Sequence, residues 1–171
     1  MRVLPRRWQH VQAVGARAEA IAGLPDVDAE ELVAAAWLHD IGYAPALAET
    51  GFHPLDGARY LRQVGDIPAR VCALVAHHSC AVVEAEERGL ADQLLSEFAS
   101  EQSATADALW YADMTTGPDG QPMQVGERLK EIRVRYGPDH LVTRFINKAH
   151  TEIIRAVERT EALLLRSTTH S

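Results

Sequence analysis

Apolar residues in this chain recur three and four positions apart and almost nowhere alternate, which confines it to helices. Val11, Val14, Ala18 and Ile21 carry the pattern from Trp8 to Ile21, and Gly23 and Pro25 end it. Asp28 suits the N-cap of the next helix, with Glu31 three residues on as in a capping box. That helix runs through "ELVAAAWLHD" and ends near Gly42. In "GFHPLDGARYLRQVG", Pro54 suits a first helical turn and is expected to hold His53 outside helical geometry, at the entrance. A fourth helix begins at Pro68 and carries "ARVCALVAHHS", with Val71, Leu74, Val75 and His78 on one face. "EAEERGLADQLLSEFA" reads as one or two short helices broken at Gly89, and residues 103–114 form another. "TTGPDGQPM" is a loop, "QVGERLKEIRVRYG" is amphipathic, and Pro138 and Asp139 open a last helix reaching about Leu165. The predicted class is all-α: one compact bundle over residues 1–166 with a long C-terminal helix, then a disordered tail at 167–171.

A chain of 171 residues is enough for one sizeable core. Its formal net charge of −7 argues against a nucleic-acid polymer or a membrane surface as partner, since both select a basic face. An anionic small molecule remains compatible, because a local cation overrides the global sign. Cys72 and Cys80 form no C-x-x-C pair and are too few for a disulfide framework. The stretch after Met1 is basic and never becomes apolar, and no apolar run approaches the ~20 residues of a membrane span. The expected setting is the cytoplasm; the oligomeric state is unconstrained.

The residues able to bind metal are unevenly placed. His10 lies in the first helix, His39 and Asp40 end the second, His53 opens the third, His77 and His78 end the fourth, and Asp113 lies near the end of "DALWYAD". His140, His150 and His170 fall late and lack such neighbours. Imidazole and carboxylate together suit Fe, Mn, Zn, Co or Ni without a thiolate. Adjacent helix residues point about 100° apart, so His39 and Asp40 converge only on an ion at the flank between them, and other helices must complete its shell. Each residue also has a plainer reading. His39 and Asp40 suit a helix C-terminus, His53 suits a cap, and Asp113 alone suits a solvated acid. Trp8, Trp37 and Trp110 are expected in the core. Arg144 and Lys148 share a face of the last helix, where they either meet an anionic ligand or are solvated. "DMTTGPDG" lacks the spacing of a calcium loop.

"WLHDIG", with His10 upstream and Asp113 downstream, resembles the HD-domain metal-dependent phosphohydrolase superfamily, whose pattern is His, then His-Asp, then Asp on a helical bundle. The resemblance covers about residues 7–115 and includes "RRWQHVQAV", with an arginine three residues before the first histidine. "HPLDGARYL" and "AHHS" resemble the extra histidines of binuclear members, as in some bacterial dinucleoside tetraphosphate hydrolases. It implies His10, His39, Asp40 and Asp113 as core ligands, with His39 and Asp40 at the catalytic centre. It also implies His53 and His78 at a second metal position, His77 being the rival to His78. Arg7, one turn before His10, and His77 would meet the substrate.

The cofactors implied are divalent ions, two of them, with Fe, Mn, Co, Ni, Zn and Mg indistinguishable. The activity implied is hydrolysis of a nucleotide or other small phosphoester by a metal-activated water. One departure stands out: many members carry Lys or Glu where this chain has Tyr43, a poor general base at neutral pH. Two alternatives stay open, a di-iron oxygenase on the same scaffold and a non-catalytic ligand-sensing domain.

Overall fold

The computed structural model describes residues 3–169. The helices are α1 (Val3–Ile21), α2 (Ala29–Leu38), α3 (His53–Val64), α4 (Ala69–Ala76), α5 (Ala81–Arg88), α6 (Ala91–Glu97), α7 (Ala104–Met114), α8 (Val125–Tyr136) and α9 (Leu141–Thr168). Short 3₁₀ turns cover Ile41–Tyr43, Pro45–Leu47 and His78–Cys80. No strand forms among the described residues, and an isolated bridge joins Thr116 to Pro122. None of the described helices is long and apolar enough to cross a membrane.

The bundle is built around α2, which packs on α1, α4 and α7. Its alanines explain the position: Ala35 and Ala36 are fully buried, and such short side chains let three neighbours approach one short helix. Val14, Leu32, Leu55 and Leu109 fill the space around it, each worth ~1.5–3 kcal/mol of burial. A second apolar cluster, with Leu129, Ile146, Ile153 and Val157, joins α8 and α9 to the rest through Trp110 and Tyr111.

Local signals set most boundaries. The Asp28 carboxylate accepts from the Glu31 amide at 3.0 Å, as an N-cap should, while the Glu31 side chain pairs with Arg70 rather than closing a capping box. His53 is the first residue of α3 rather than a residue outside it. Pro54 then occupies a position where the missing N–H would have had no intrahelical partner. The final helix passes the expected end near Leu165 and includes Ser167 and Thr168, so this part of the expected tail is helical. Their hydroxyls donate to the carbonyls of Leu163 and Leu165 and so satisfy end groups of the helix. Thr169 follows as the C-cap, and the last two residues of the expected tail, His170 and Ser171, lie outside the described residues, as do Met1 and Arg2. Trp8 is 55% exposed rather than in the core: it sits at the edge of the buried arc of α1 and leans on Trp37, ring centres 6.1 Å apart.

Two features seat the start of α3 beside the end of α2. Gly42 lies against the backbone of α3, and a Cβ placed there would come within 2.0 Å of the His53 carbonyl oxygen and 2.7 Å of the Gly57 nitrogen. Only glycine fits between two main chains at that separation. The buried Asp56 carboxylate then accepts the amides of Glu49, Thr50 and Gly51 and the Thr50 hydroxyl, which folds the preceding loop back onto α3. Gly42→Ala is expected to cost about 1–3 kcal/mol through overpacking against rigid backbone. A chemical-denaturation midpoint equal to the wild type would refute this contact.

Candidate metal centre

His39 and Asp40 leave α2 at its C-terminal end, where the last carbonyls have no helical partner. His39 uses one of them: its Nδ1–H donates to the Ala36 carbonyl at 2.7 Å. That bond fixes the tautomer and turns Nε2 inward. His78 repeats the device at the end of α4, with Nδ1–H donating to the Val75 carbonyl at 2.6 Å. His10, in the middle of α1, has no free carbonyl on its own helix and donates Nδ1–H to the Gly117 carbonyl of the loop after α7, at 2.9 Å. Three imidazoles on three helices thus present Nε2 to one place.

Two carboxylates meet them there. Asp113 Oδ1 lies 3.0 Å from His10 Nε2 and 3.6 Å from His39 Nε2. Asp40 Oδ1 lies 3.5 Å from His39 Nε2, 3.3 Å from His53 Nε2 and 3.9 Å from His78 Nε2, while its Oδ2 faces His10 at 4.0 Å and accepts from Arg7 at 2.9 Å. His53 and His78 bring their Nε2 atoms to 3.3 Å. His10, His39, Asp40, His78 and Asp113 are all buried, and His53 is half-buried.

Burying two carboxylates demands positive charge between them and the imidazoles. Burial alone would pull the His39 imidazole down, but the Asp40 and Asp113 carboxylates outweigh it and push it up to about 9. Burial works against both carboxylates as well, yet His39, His53 and Arg7 hold Asp40, and His10 and His39 hold Asp113, well below the ordinary range. His78 goes the other way: burial, with repulsion from His39 and His53, lowers it to about 4 and keeps it neutral. A divalent cation fits this donor set. His39 Nε2 is buried with no hydrogen-bond partner, and His10, His39 and Asp113, like His39, Asp40 and His78, bring one ligand atom each within 4.8 Å of one another. Nitrogen and oxygen donors without sulfur match the divalent ions from Mn to Zn.

Asp113 is held by a residue that sequence reasoning missed. Ser79 donates its hydroxyl to Asp113 Oδ2 at 2.5 Å, from a turn in which Ser79 and Cys80 both have left-handed φ, 51° and 61°. Neither is glycine, and such a conformation costs roughly 1–3 kcal/mol per residue. The Gly117 carbonyl that orients His10 was equally hidden, because it is a main-chain group in a loop far along the chain. The signal for either was its place inside a stretch already singled out, Ser79 closing "AHHS" and Gly117 closing "DMTTG", with no role attached to it there.

The structure brings Arg7, His10, His39, Asp40, His53, His78 and Asp113 together. Arg7 lies over the Tyr43 ring at 3.4 Å, and Tyr43 stacks on His53 with ring centres 3.9 Å apart. Tyr43 is therefore a wall that positions a cation and an imidazole. His77 is not brought to the cluster: its Nε2 bonds the Phe98 carbonyl at 2.9 Å, because α4 has ended and the turn sends the two histidines to opposite sides. Arg144 and Lys148 both pair with Glu87, away from the cluster. His140 caps α9 through the Val142 amide, and His150 bonds the Asn147 carbonyl.

A helical bundle whose inward helix ends converge histidines and aspartates defines a class of metal-binding α-proteins. The family model of the HD domain matches residues 7–116, well over half of the chain. The protein belongs to the HD-domain family, and with it to the metal-dependent phosphohydrolase superfamily. No curated protein and no solved structure gives a match.

Ser79→Ala should leave the helical content intact and weaken metal binding roughly 10- to 100-fold, the usual effect of removing a partner of a ligand. Competition against a fluorescent chelator measures it, and undiminished affinity would reduce the Ser79–Asp113 bond to a packing detail.

Proposed function

We propose that the protein hydrolyses a small phosphoester through a water activated at this centre. The observation that carries the reading is the set of Nε2 atoms fixed by main-chain carbonyls around Asp40 and Asp113. When bound there, a divalent cation supplies a water acidic enough to act as nucleophile near neutral pH and polarises a phosphoryl oxygen. The chain's own residues do the rest. Asp40 and Asp113 supply the negative charge that retains the cation, and the main-chain carbonyls keep the imidazoles aimed without reorganisation. Arg7 gives Nη1 to Asp40, lines the adjoining cavity, and among the described residues has no hydrogen-bond partner at Nη2. That group would meet an equatorial phosphoryl oxygen, one of the three over which the transition-state charge is spread. Tyr43, stacked beneath the guanidinium, keeps it there.

The same reading extends to two ions. Asp40 turns Oδ2 toward His10 and Oδ1 toward His53 and His78. His53 and His78, with Asp40, would hold the second ion.

Metal analysis joined to a phosphoester screen tests both statements. Purified protein should carry roughly two divalent ions per chain. Phosphate release should vanish in excess chelator and return with Mn²⁺, Co²⁺ or Fe²⁺. Asp40→Ala should lose most metal and all turnover while remaining helical, and His53→Ala should lose about half of the metal. Full metal occupancy in Asp40→Ala would overturn the centre. Oxygen consumption without phosphate release from any ester would replace hydrolysis by the di-iron oxygenase reading.

A further inference from the structure

The cavity that opens on the cluster continues well past it. It encloses about 400 Å³ and runs from Arg7 and His10 to a far wall that includes Arg128, Ile132 and Tyr136 of α8 and Phe145 and Ile146 of α9. That volume is the size of a pocket for a small organic molecule. The far wall lies wholly outside residues 7–116, so the family's metal-binding part says nothing about what it receives.

Arg128 is the feature of that wall that asks for a ligand. It is only 7% exposed, yet among the described residues a single side chain partners it: Nη1 donates to Glu131 at 2.5 Å. Among the described residues its Nε is buried with no partner, and no hydrogen bond occupies Nη2. Leaving buried donors unmade is costly, so an interior guanidinium in this condition is poised for an acceptor. Charge favours an anion. Glu131 is shared with Arg135, whose Nε lies 3.0 Å from it, so one carboxylate faces two guanidiniums and the corner keeps a positive excess. Glu84, which lines the cavity along with Asp40 and Asp113 of the cluster, is held by Arg88 at 2.9 Å. The same cavity also has apolar lining from Ile132, Phe145 and Ile146.

We propose that Arg128 is a substrate-binding residue and that the substrate is a phosphoester with two separated anionic ends: the scissile phosphate at the His/Asp cluster, and a second anionic group at Arg128, joined by an apolar body about the size of an aromatic ring. The assignment of the scissile end rests on the phosphohydrolase reading. The assignment of Arg128 rests on the cavity alone. Arginine suits the task because its planar fork recognises carboxylate and phosphate with directed bonds.

The test compares phenyl phosphate with the 3- and 4-carboxyphenyl phosphates on Mn²⁺-loaded protein, and in parallel measures calorimetric binding of the corresponding phosphonates. The wild type should favour the better carboxylated isomer roughly 10- to 100-fold in kcat/KM, with a matching preference in phosphonate affinity. In Arg128→Gln that ratio should collapse to parity, and Arg128→Lys should restore part of it. A purely structural role for Arg128 would depress all the esters together and leave the ratio unmoved. Parity in the wild type, or an undiminished ratio in a folded Arg128→Gln, overturns the proposal; if neither variant folds, the wild-type phosphonate comparison decides it. Hydrolysis without carboxylate preference would sink the Arg128 assignment and spare the phosphohydrolase reading. Carboxylate preference in phosphonate binding without hydrolysis of any ester would do the reverse.

Discussion

The Asp40 carboxylate is the contact on which the rest of the site depends. It is buried, and four imidazoles and a guanidinium close on it: His10, His39, His53, His78 and Arg7, from α1, α2, α3 and the turn after α4. An isolated carboxylate in that position would be expensive, and the cost falls only if all of those groups arrive together. The convergence of the helices is thus tied to the charge balance at a single side chain. Asp113 stands in the same relation to His10 and His39, which links α7 to the arrangement.

Helix ends make that convergence possible. A helix leaves its last carbonyls unpaired, and His39 and His78 each take up one of them three residues back. The bond satisfies an end group that would otherwise lack a partner, and it also removes the freedom of the ring to rotate. One hydrogen bond therefore serves both the stability of the helix terminus and the preorganisation of a ligand. The close contact of Gly42 with the His53 carbonyl, and the Asp56 carboxylate that gathers the loop before it, do the corresponding work for the start of α3.

What could be read from the sequence follows from how local its causes are. Helices with an apolar repeat and a Gly, Pro or Asp boundary were legible because period and cap lie within a few residues of one another, as at Val14–Ala18–Ile21 and Asp28. The cluster residues were legible only as an ordered set, since His-Asp at a helix end has an ordinary explanation by itself. Groups whose role is defined by a partner far along the chain were not legible. Ser79 needs Asp113, thirty-four residues away, and His10 needs the carbonyl of Gly117. The placement of His77 is of the same kind: α4 stops at Ala76, so a helical wheel drawn through "AHHS" describes a turn that is no longer a helix.

Arg128 illustrates a different limit. In the sequence it is one of several basic residues on an amphipathic helix, where a solvated charge is the ordinary expectation. Packing α9 alongside α8 covers that helix and leaves Arg128 inside, with Ile132 and Phe145 beside it and Glu131 as its one partner. The buried charge weakens the local packing argument for α8, because a leucine there would fill the space at less cost. On the proposal above, an anion of the ligand completes it. The division of labour along the chain is then a physical one. The part of the chain from α1 to α7 supplies nitrogen and oxygen donors, and main-chain carbonyls fix three of its imidazoles, His10, His39 and His78, in a way that resists change. The wall from α8 and α9 is made of side chains on helix faces, which can be altered without disturbing those carbonyls. Chemistry and selectivity can vary independently when they are carried by groups of such different rigidity.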